Sequence, residues 1–421
     1  MAVALPKNFS EIRKHLKEPL IRNSFFIMAS SFIAAGFGFF FWMIAARLYS
    51  QADVGIATAL MSSMGLLILI SRLGLDQSVI RFFPQRDKSR VLGTAIIVPT
   101  AVALVAGVIF IAAADVVAPE LVVVRTVAPL YLTFLGAYSI TWVLEGAFNA
   151  IRKSEYYFIL NLLYGSRILF LFPLVFLGAM GVFSAFGLSF VLGLILALVL
   201  LSRCSIRPRA GVDWAFIREA WQFSAGAYVA GILMAAPNMV IPIMVLNVLG
   251  AESTANYYIT YAIVSVLFMI PYAFSTSLFV EGSHGGEMQR SVKRTLASMF
   301  ALLIPATIGL MIFGEQILGL IGRDYVEGAA LLQVLAASAI FVSICQTFIS
   351  IAKVRDDIRS LIIISGFVSI ALLGLGYALM HQFGLIGMGY AWFATYAGGT
   401  VLTGFILWRK GWLAPRSRLA G

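Results

Sequence analysis

Ionisable side chains are scarce inside the apolar runs of this 421-residue chain, and those present bound the chemistry it can do. Arg167 stands about eleven residues, or roughly 16 Å at 1.5 Å per residue, into the apolar run 156–177. Facing lipid at that depth costs an arginine at least about 3 kcal/mol, so it needs a partner. Two readings stay open: contact with an anionic ligand, or an ion pair with Glu145 in the preceding run. Both can hold at once. Glu145 in turn reads as a proton- or cation-coupling carboxylate or as a helix-packing polar group, and neutral Gln346, 201 residues later, favours the second. Arg47 closes the first run, where it can meet an anionic group or snorkel to headgroups. Asn238 and Tyr261 lie deep in the seventh and eighth runs, among Pro237, Pro242 and Pro271, whose rings free backbone carbonyls and permit bending. Tyr257 and Tyr258 stand nearer the run's end and read as part of an aromatic belt. Arg72, Arg81, Arg152 and Lys153 would ring an entrance for an anion, although a charge bias between the membrane faces already accounts for them.

Other chemistries find no support in the sequence. There is no phosphate-binding G-x-x-x-x-G-K-[ST] loop, hence no expectation of nucleotide hydrolysis on this chain. His284 and His381 are far from any cysteine or carboxylate cluster, and Cys204 and Cys345 are too scattered for a disulfide framework or a metal site. No metal, organic cofactor or enzymatic activity is expected. A formal charge of +11 could suggest nucleic acid, but its distribution follows membrane topology instead.

The elements that must position these residues are transmembrane helices. Apolar residues make up 61% of the chain and charged ones 12%, too few to give a soluble fold of this size a polar surface. Lipid leaves two options, helices or a closed barrel, and runs of about 20 residues without alternation select helices. The expected spans are 24–46, 54–75, 91–114, 127–149, 156–177, 180–201, 222–248, 255–279, 296–314, 328–351, 359–380 and 384–408. No cleavable signal peptide is expected, because the basic, amphipathic first 22 residues lead into an apolar run too long for one. With the N-terminus inside and twelve alternating spans, 26 of the 30 lysines and arginines fall on one side. Arg47, Arg125 and Arg323 fall on the other and Arg167 within a span, an asymmetry that places both termini in the cytoplasm.

The chain also repeats. At an offset of 201 residues, Ala34-Ala35, Met43 and Leu48 recur as Ala235-Ala236, Met244 and Leu249. LYSQADVG at 48–55 falls on LGAESTAN at 249–256, and FNAIRKSE at 148–155 on ISIAKVRD at 349–356. With five more residues inserted, GAMG at 178–181 meets GLIG at 384–387 and Arg203 meets Arg409. Six spans per half make the repeats parallel, an architecture with a cavity between halves that rock against each other. The expected organisation is a basic cytoplasmic segment 1–22, a six-helix lobe 23–201, a cytoplasmic linker 202–221 with a short interfacial helix from Trp214 to Trp221, a second lobe 222–408, and a cytoplasmic tail 409–421.

From Asn23 to Phe83, a long apolar helix, AARLYSQADVGIATAL, a second apolar helix and SRLGLDQSVIRFF follow in order. This opening resembles the polysaccharide-biosynthesis flippases, the O-antigen and exopolysaccharide branch of the multidrug/oligosaccharidyl-lipid/polysaccharide exporter superfamily. Ala46-Arg47-Leu48 with Gly55 is similar to that family's pattern with one residue fewer before the leucine, and Gly74-Leu75-Asp76 matches the motif closing its second helix. A second block, Leu320-Ile321-Gly322-Arg323-Asp324-Tyr325 followed by Ala329-Ala330-Leu331-Leu332-Gln333-Val334-Leu335, also resembles the family. The resemblance implies a V-shaped transporter of twelve helices in the inner membrane, moving a polyprenyl-diphosphate-linked oligosaccharide between leaflets. It implies lipopolysaccharide or exopolysaccharide assembly, with a glycan polymerase and chain-length machinery as partners, driven by a proton or sodium gradient or the membrane potential. On this reading Arg167, Arg47, Asn238 and Tyr261 contact substrate, Glu145 couples or pairs, and Arg72, Arg81, Arg152 and Lys153 form the cytoplasmic entrance. A cation-coupled multidrug exporter of the same superfamily is the alternative, weakened by the absence of a carboxylate in the first span. A membrane-embedded glycan polymerase or ligase is further off, because its large outer catalytic loop has no counterpart here.

Overall fold

The computed structural model describes residues 19–83, 85–204, 206–283 and 288–412. Most of the expected basic N-terminal segment, the end of the tail and His284 lie outside these residues. The described chain is helical, as lipid requires of a backbone that must satisfy its own hydrogen bonds. Helix α1 spans Pro19–Leu48 and α2 Gln51–Ser71, followed by the short amphipathic α3, Leu75–Phe82. Then come α4 (Lys88–Ala112), α5 (Ala128–Ala150), α6 (Ser154–Tyr164), α7 (Arg167–Leu171) and α8 (Ala179–Arg203). The remainder is α9 (Trp214–Leu249), α10 (Ala251–Ser283), α11 (Met288–Ile321), α12 (Ala329–Val354), α13 (Ile358–Phe383) and α14 (Leu385–Lys410). Among the described residues nine helices are long and apolar enough to cross a membrane, or ten if Pro119–Arg125 and Ala128–Ala150, bent by 90°, form one span. The two other expected crossings are the segment 154–177 and α14, a helix of 26 residues diluted by glycine and threonine. Each expected span therefore falls, in order, on chain that is wholly or mostly helical.

Two expectations change. The run 156–177 is no single helix: it breaks at Gly165–Ser166, resumes at Arg167 and ends in a 3-10 turn at Val175–Leu177. Hydropathy could not reveal this, because both pieces are apolar. Nor is the stretch from Trp214 to Trp221 a separate interfacial helix; it forms the first two turns of the 36-residue α9.

The local conformations repeat between the halves. Leu48 and Leu249, 201 residues apart, end α1 and α9. Short 3-10 helices, Pro119–Arg125 and Arg323–Gly328, precede α5 and α12. Gly178 and Gly384 cap α8 and α14 with nearly the same dihedrals, φ 56°, ψ −134° and φ 65°, ψ −146°, which a side chain would strain. Arg152 and Asp356 are both left-handed, at φ 58° and 50°, in matching turns after α5 and α12. In those turns Lys153 N donates to Phe148 O and Asp357 N to Ala352 O. The register at this turn is thus 204 residues, not the 201 read from FNAIRKSE, whereas the starts of α5 and α12 keep the offset of 201.

The described residues pack as two compact units. The first holds α1 up to Ile44 together with Ile70–Ala114 and Val123–Ala225. Its core is aromatic: Tyr131 stacks on Phe183 at 5.9 Å, and the missing side chain of Gly187 admits the Phe134 ring, 2.0 Å from where a Cβ would lie. The second comprises Ala45–Leu69, Asp115–Val122 and Gly226–Gly421, as far as these are described. There Gly55 lies against the Ala251 backbone, its absent Cβ falling 1.9 Å from the carbonyl oxygen. Asp357 caps α13 by accepting from Ser360 N at 3.2 Å and pairs with Lys410 at the end of α14. Trp412 stacks on Phe348 at 6.0 Å beside this pair.

Two predictions follow from this packing. Gly55→Ala should destabilise by about 1–3 kcal/mol, the cost of overpacking against a backbone that cannot yield, whereas Gly36→Ala, with nothing within 4 Å, should not. Thermal unfolding of both purified variants measures the difference. Burial raises the Asp357 carboxyl, but hydrogen bonds from Lys410 and Ser360 outweigh it and hold the group below its ordinary value. A depressed carboxylate stabilises above its unfolded pKa of about 3.9 and loses that contribution as pH falls through the folded value. Asp357→Asn should therefore melt lower than the parent at neutral pH, with the gap closing below about pH 4.

Candidate functional site

In the first unit α5 carries Tyr138, Trp142 and Glu145 at i, i+4 and i+7, one face of a helix. Facing it, α6 ends at Tyr164, and the break that follows brings Arg167 to the start of α7. Gly165 permits the break beside α1: a Cβ there would fall 2.4 Å from Cε2 of Phe37. The Tyr164 hydroxyl donates to Glu145 Oε1 at 2.7 Å. Phe190 of α8 wedges between the tyrosines, stacked on Tyr138 at 4.2 Å and tilted against Tyr164 at 4.9 Å.

Two guanidinium groups join this aromatic wall. Arg72, in the turn after α2, lies 3.7 Å over the Trp142 ring, a close cation–π contact. Arg167 sits 5.1 Å from the Phe41 centroid and 5.9 Å from that of Phe186. Gly38 leaves room for it, the site of its missing Cβ lying 3.4 Å from one Arg167 nitrogen. Tyr138 lies edge-on against both Trp142 and Phe186, at 6.1 Å each, the rings beside which Arg72 and Arg167 sit. Arg72, assigned to the entrance from sequence, thus belongs with Arg167 and Glu145. Glu145 takes its hydrogen bond from Tyr164.

The other entrance candidates are dispersed. Arg81 is exposed, 3.8 Å over the Phe223 ring. Arg152 is exposed in its left-handed turn, and Lys153 is 3.8 Å from Glu155. Arg47 is exposed and donates to the Leu320 carbonyl, in the last turn of α11. A cation suits those unpaired carbonyls.

In the second unit Asn238 and Tyr261 meet directly: the Tyr261 hydroxyl donates to Asn238 Oδ1 at 3.0 Å. Tyr261 stacks on Tyr257 at 6.0 Å and tilts against Trp392 at 5.7 Å, while Trp392 stacks on Tyr396 at 5.3 Å. This wall is aromatic and neutral. Among the described residues no group of three or more His, Cys, Asp or Glu side chains is placed to hold a metal ion. Sequence reasoning missed Tyr138, Trp142, Tyr164, Trp392 and Tyr396. The seven-residue spacing of Tyr138, Trp142 and Glu145 was the one available signal.

The Glu145–Tyr164 hydrogen bond can be measured. Tyr164→Phe leaves a carboxyl without its donor, which should cost about 1–3 kcal/mol. In a double-mutant cycle with Glu145→Gln the two changes should couple by about 0.5–3 kcal/mol in thermal unfolding, whereas independent groups would add.

Residues 20–279 match the family described as polysaccharide biosynthesis protein. Among solved structures, the chain is similar to a multidrug resistance MATE family transporter of the MOP superfamily in its inward-facing conformation. The TM-score is 0.70 at 13% identity, over 90% of this chain and 96% of that one. It is likewise similar to the lipid II flippase MurJ in an inward closed conformation, with a TM-score of 0.71 at 14% identity over 91% and 87% of the two chains. A MOP superfamily transporter from Pyrococcus furiosus matches with a TM-score of 0.60 at 13% identity, over 96% and 99%. No curated protein sequence matches the chain. At these identities the structures share the fold, and the chain is a multi-pass membrane protein with the fold of those transporters.

Proposed function

Because the chain belongs to the polysaccharide biosynthesis protein family, we propose that it is a flippase carrying a polyprenyl-diphosphate-linked oligosaccharide across the cytoplasmic membrane by alternating access. The observation that carries this reading is the placement of Arg72 and Arg167 beside Trp142 and Phe186, the two rings that flank Tyr138, among apolar helices. A diphosphate cannot enter hydrocarbon unsolvated without a large penalty. Two guanidinium groups held on aromatic faces offer it charge and several N–H donors within the span. Glu145, kept on Tyr164, limits the net positive charge when the site is empty. In the second unit, taken by itself, the neutral pair of Asn238 and Tyr261 has the ring and polar groups that a sugar would need. Arg47, capping α11, would contact substrate only by leaving that role.

The orientation proposed has both termini in the cytoplasm, since 26 of the 30 cations then face inward. The lobes are 23–201 and 222–408, and the product would pass to a polymerase and chain-length machinery of cell-surface polysaccharide assembly. A proton or sodium gradient or the membrane potential would drive it. A multidrug exporter remains the alternative reading, supported by the likeness to MATE folds. A cationic drug would favour a carboxylate-dominated site, whereas this cluster has two arginines to one glutamate.

The test is complementation of surface glycan in a strain lacking its flippase, with membrane levels of each variant monitored. Arg167→Ala and Arg72→Ala should each lower translocation at least about tenfold, the worth of one charge-assisted contact of 1.5–3 kcal/mol. Arg167→Lys should recover part of the loss. Full activity of the alanine variants would overturn the assignment.

A further inference from the structure

Glu145 is the one carboxylate of α5 and stands five residues before that helix ends at Ala150. It is half-buried there. Its Oε1 accepts a hydrogen bond from the Tyr164 hydroxyl at 2.7 Å, and among the described residues no ion pair holds it. The charged and titratable groups around it are few. On α5, Tyr138 and Trp142 stand seven and three residues earlier on the same face. Helix α6 brings Tyr164 and, seven residues before it, Tyr157. The turn after α2 brings Arg72, 3.7 Å over the Trp142 ring, and α7 brings Arg167 beside Phe186. Helix α3, packed on α5, carries Asp76 and Arg81, the latter turned onto Phe223. From Val91 onward α4 holds no ionisable side chain, nor does α8 before Arg203.

The charges of this cluster do not balance once an anion enters. Two guanidinium groups and one carboxylate leave it with a single net positive charge when empty. A diphosphate esterified at both ends carries one negative charge on each phosphate. Held by Arg72 and Arg167, it leaves a single net negative charge while Glu145 is ionised, and none once Glu145 is protonated. Uncompensated charge among apolar helices is costly. A proton is the one mobile charge that restores neutrality at a group already in place. Glu145 is also within reach of bulk water, about 8 Å of helical rise from the end of α5.

We propose that Glu145 is a proton-binding site that fills as a diphosphate binds Arg72 and Arg167, so that anion and proton are bound together. The proton comes from bulk water, forms an O–H bond on a Glu145 carboxylate oxygen, and returns to water when the anion leaves. Tyr164 is a positioning residue: its hydroxyl donates to the ionised carboxylate and favours that form in the empty site. The inference rests on the reading of the two arginines as a diphosphate site and names the second ligand of that site. Each ligand strengthens binding of the other, so affinity for the diphosphate rises as pH falls through the titration of Glu145. Moving together, the two carry one net negative charge, which an inside-negative membrane potential pushes outward.

The full-length protein in lipid nanodiscs is titrated with a short-chain prenyl diphospho-N-acetylglucosamine, whose doubly esterified diphosphate does not titrate near neutral pH. Calorimetry gives the ligand bound, and a pH-indicator dye in weakly buffered solution gives the protons taken up. The parent should take up as much as about one proton per ligand, its affinity rising by at most about tenfold per pH unit, the linkage limit for one proton. Glu145→Gln, a neutral mimic of the protonated group, should bind the ligand with no uptake and no such pH dependence. Tyr164→Phe, which removes the donor to the ionised form, should move the largest uptake to higher pH, and this shift decides the matter should Glu145→Gln not fold. Asp76→Asn should leave uptake unchanged. Binding by the parent without uptake, release of protons, or uptake that persists in Glu145→Gln would overturn the proton site while leaving the diphosphate reading in place. No binding by the parent would refute both.

Discussion

Hydrocarbon cannot hydrogen-bond a peptide group, and an unpaired one costs several kcal/mol there. The described chain is accordingly helical along its apolar runs, with 156–177 interrupted and helices of 21 to 36 residues carrying nearly all the other spans. The same constraint governs the ends. Where helix α4 stops, Arg125 donates to the carbonyls of Ile111 and Ala112 at 3.1 and 2.7 Å. Where α11 stops, Arg47 donates to Leu320. These two are among the three cations that depart from the charge asymmetry, and in each the guanidinium answers carbonyls that the helix itself cannot satisfy. Helix chemistry thus accounts for two of those three exceptions.

The break at Gly165–Ser166 works against that constraint and therefore carries information. A continuous helix through 156–177 would put Arg167 on a regular face with no choice of direction. Interrupting it lets Tyr164 reach Glu145 while Arg167 starts a new segment against Phe41 and Phe186. The cluster around Tyr138 thus draws on α1, the turn after α2, α5, the broken segment α6–α7 and α8. Aromatic rings are suited to the work: they are apolar enough for a span, and their faces accept a guanidinium without demanding a counter-charge.

Much of this was legible beforehand. Span positions followed from hydropathy, and the turn between α1 and α2 and that between α9 and α10 from the repeat; Asn238 and Tyr261, singled out separately by their depth, share a direct hydrogen bond that the sequence did not announce. Less legible was anything that depended on which way a helix faces. Arg72 read as an entrance residue because it follows a span, yet its side chain turns back onto Trp142. The register of the second repeat turn slipped from 201 to 204 because apolar residues align with almost any apolar residue, whereas the left-handed Arg152 and Asp356 mark the true equivalence.

By itself the sequence determined the solvent, the helical class, the order of the spans and the existence of a repeat. Each is a property of composition along one dimension, since burial in lipid is decided run by run. Tertiary structure alone decided where α6 gives way to α7, that Glu145 bonds to Tyr164, and that Arg72 and Arg167 meet around one tyrosine. Those facts depend on helix rotation and close approach, which glycines such as Gly38, Gly165 and Gly187 permit through contacts with residues far away in sequence. A hydropathy pattern records that a helix is in the membrane, not which neighbour each of its faces meets.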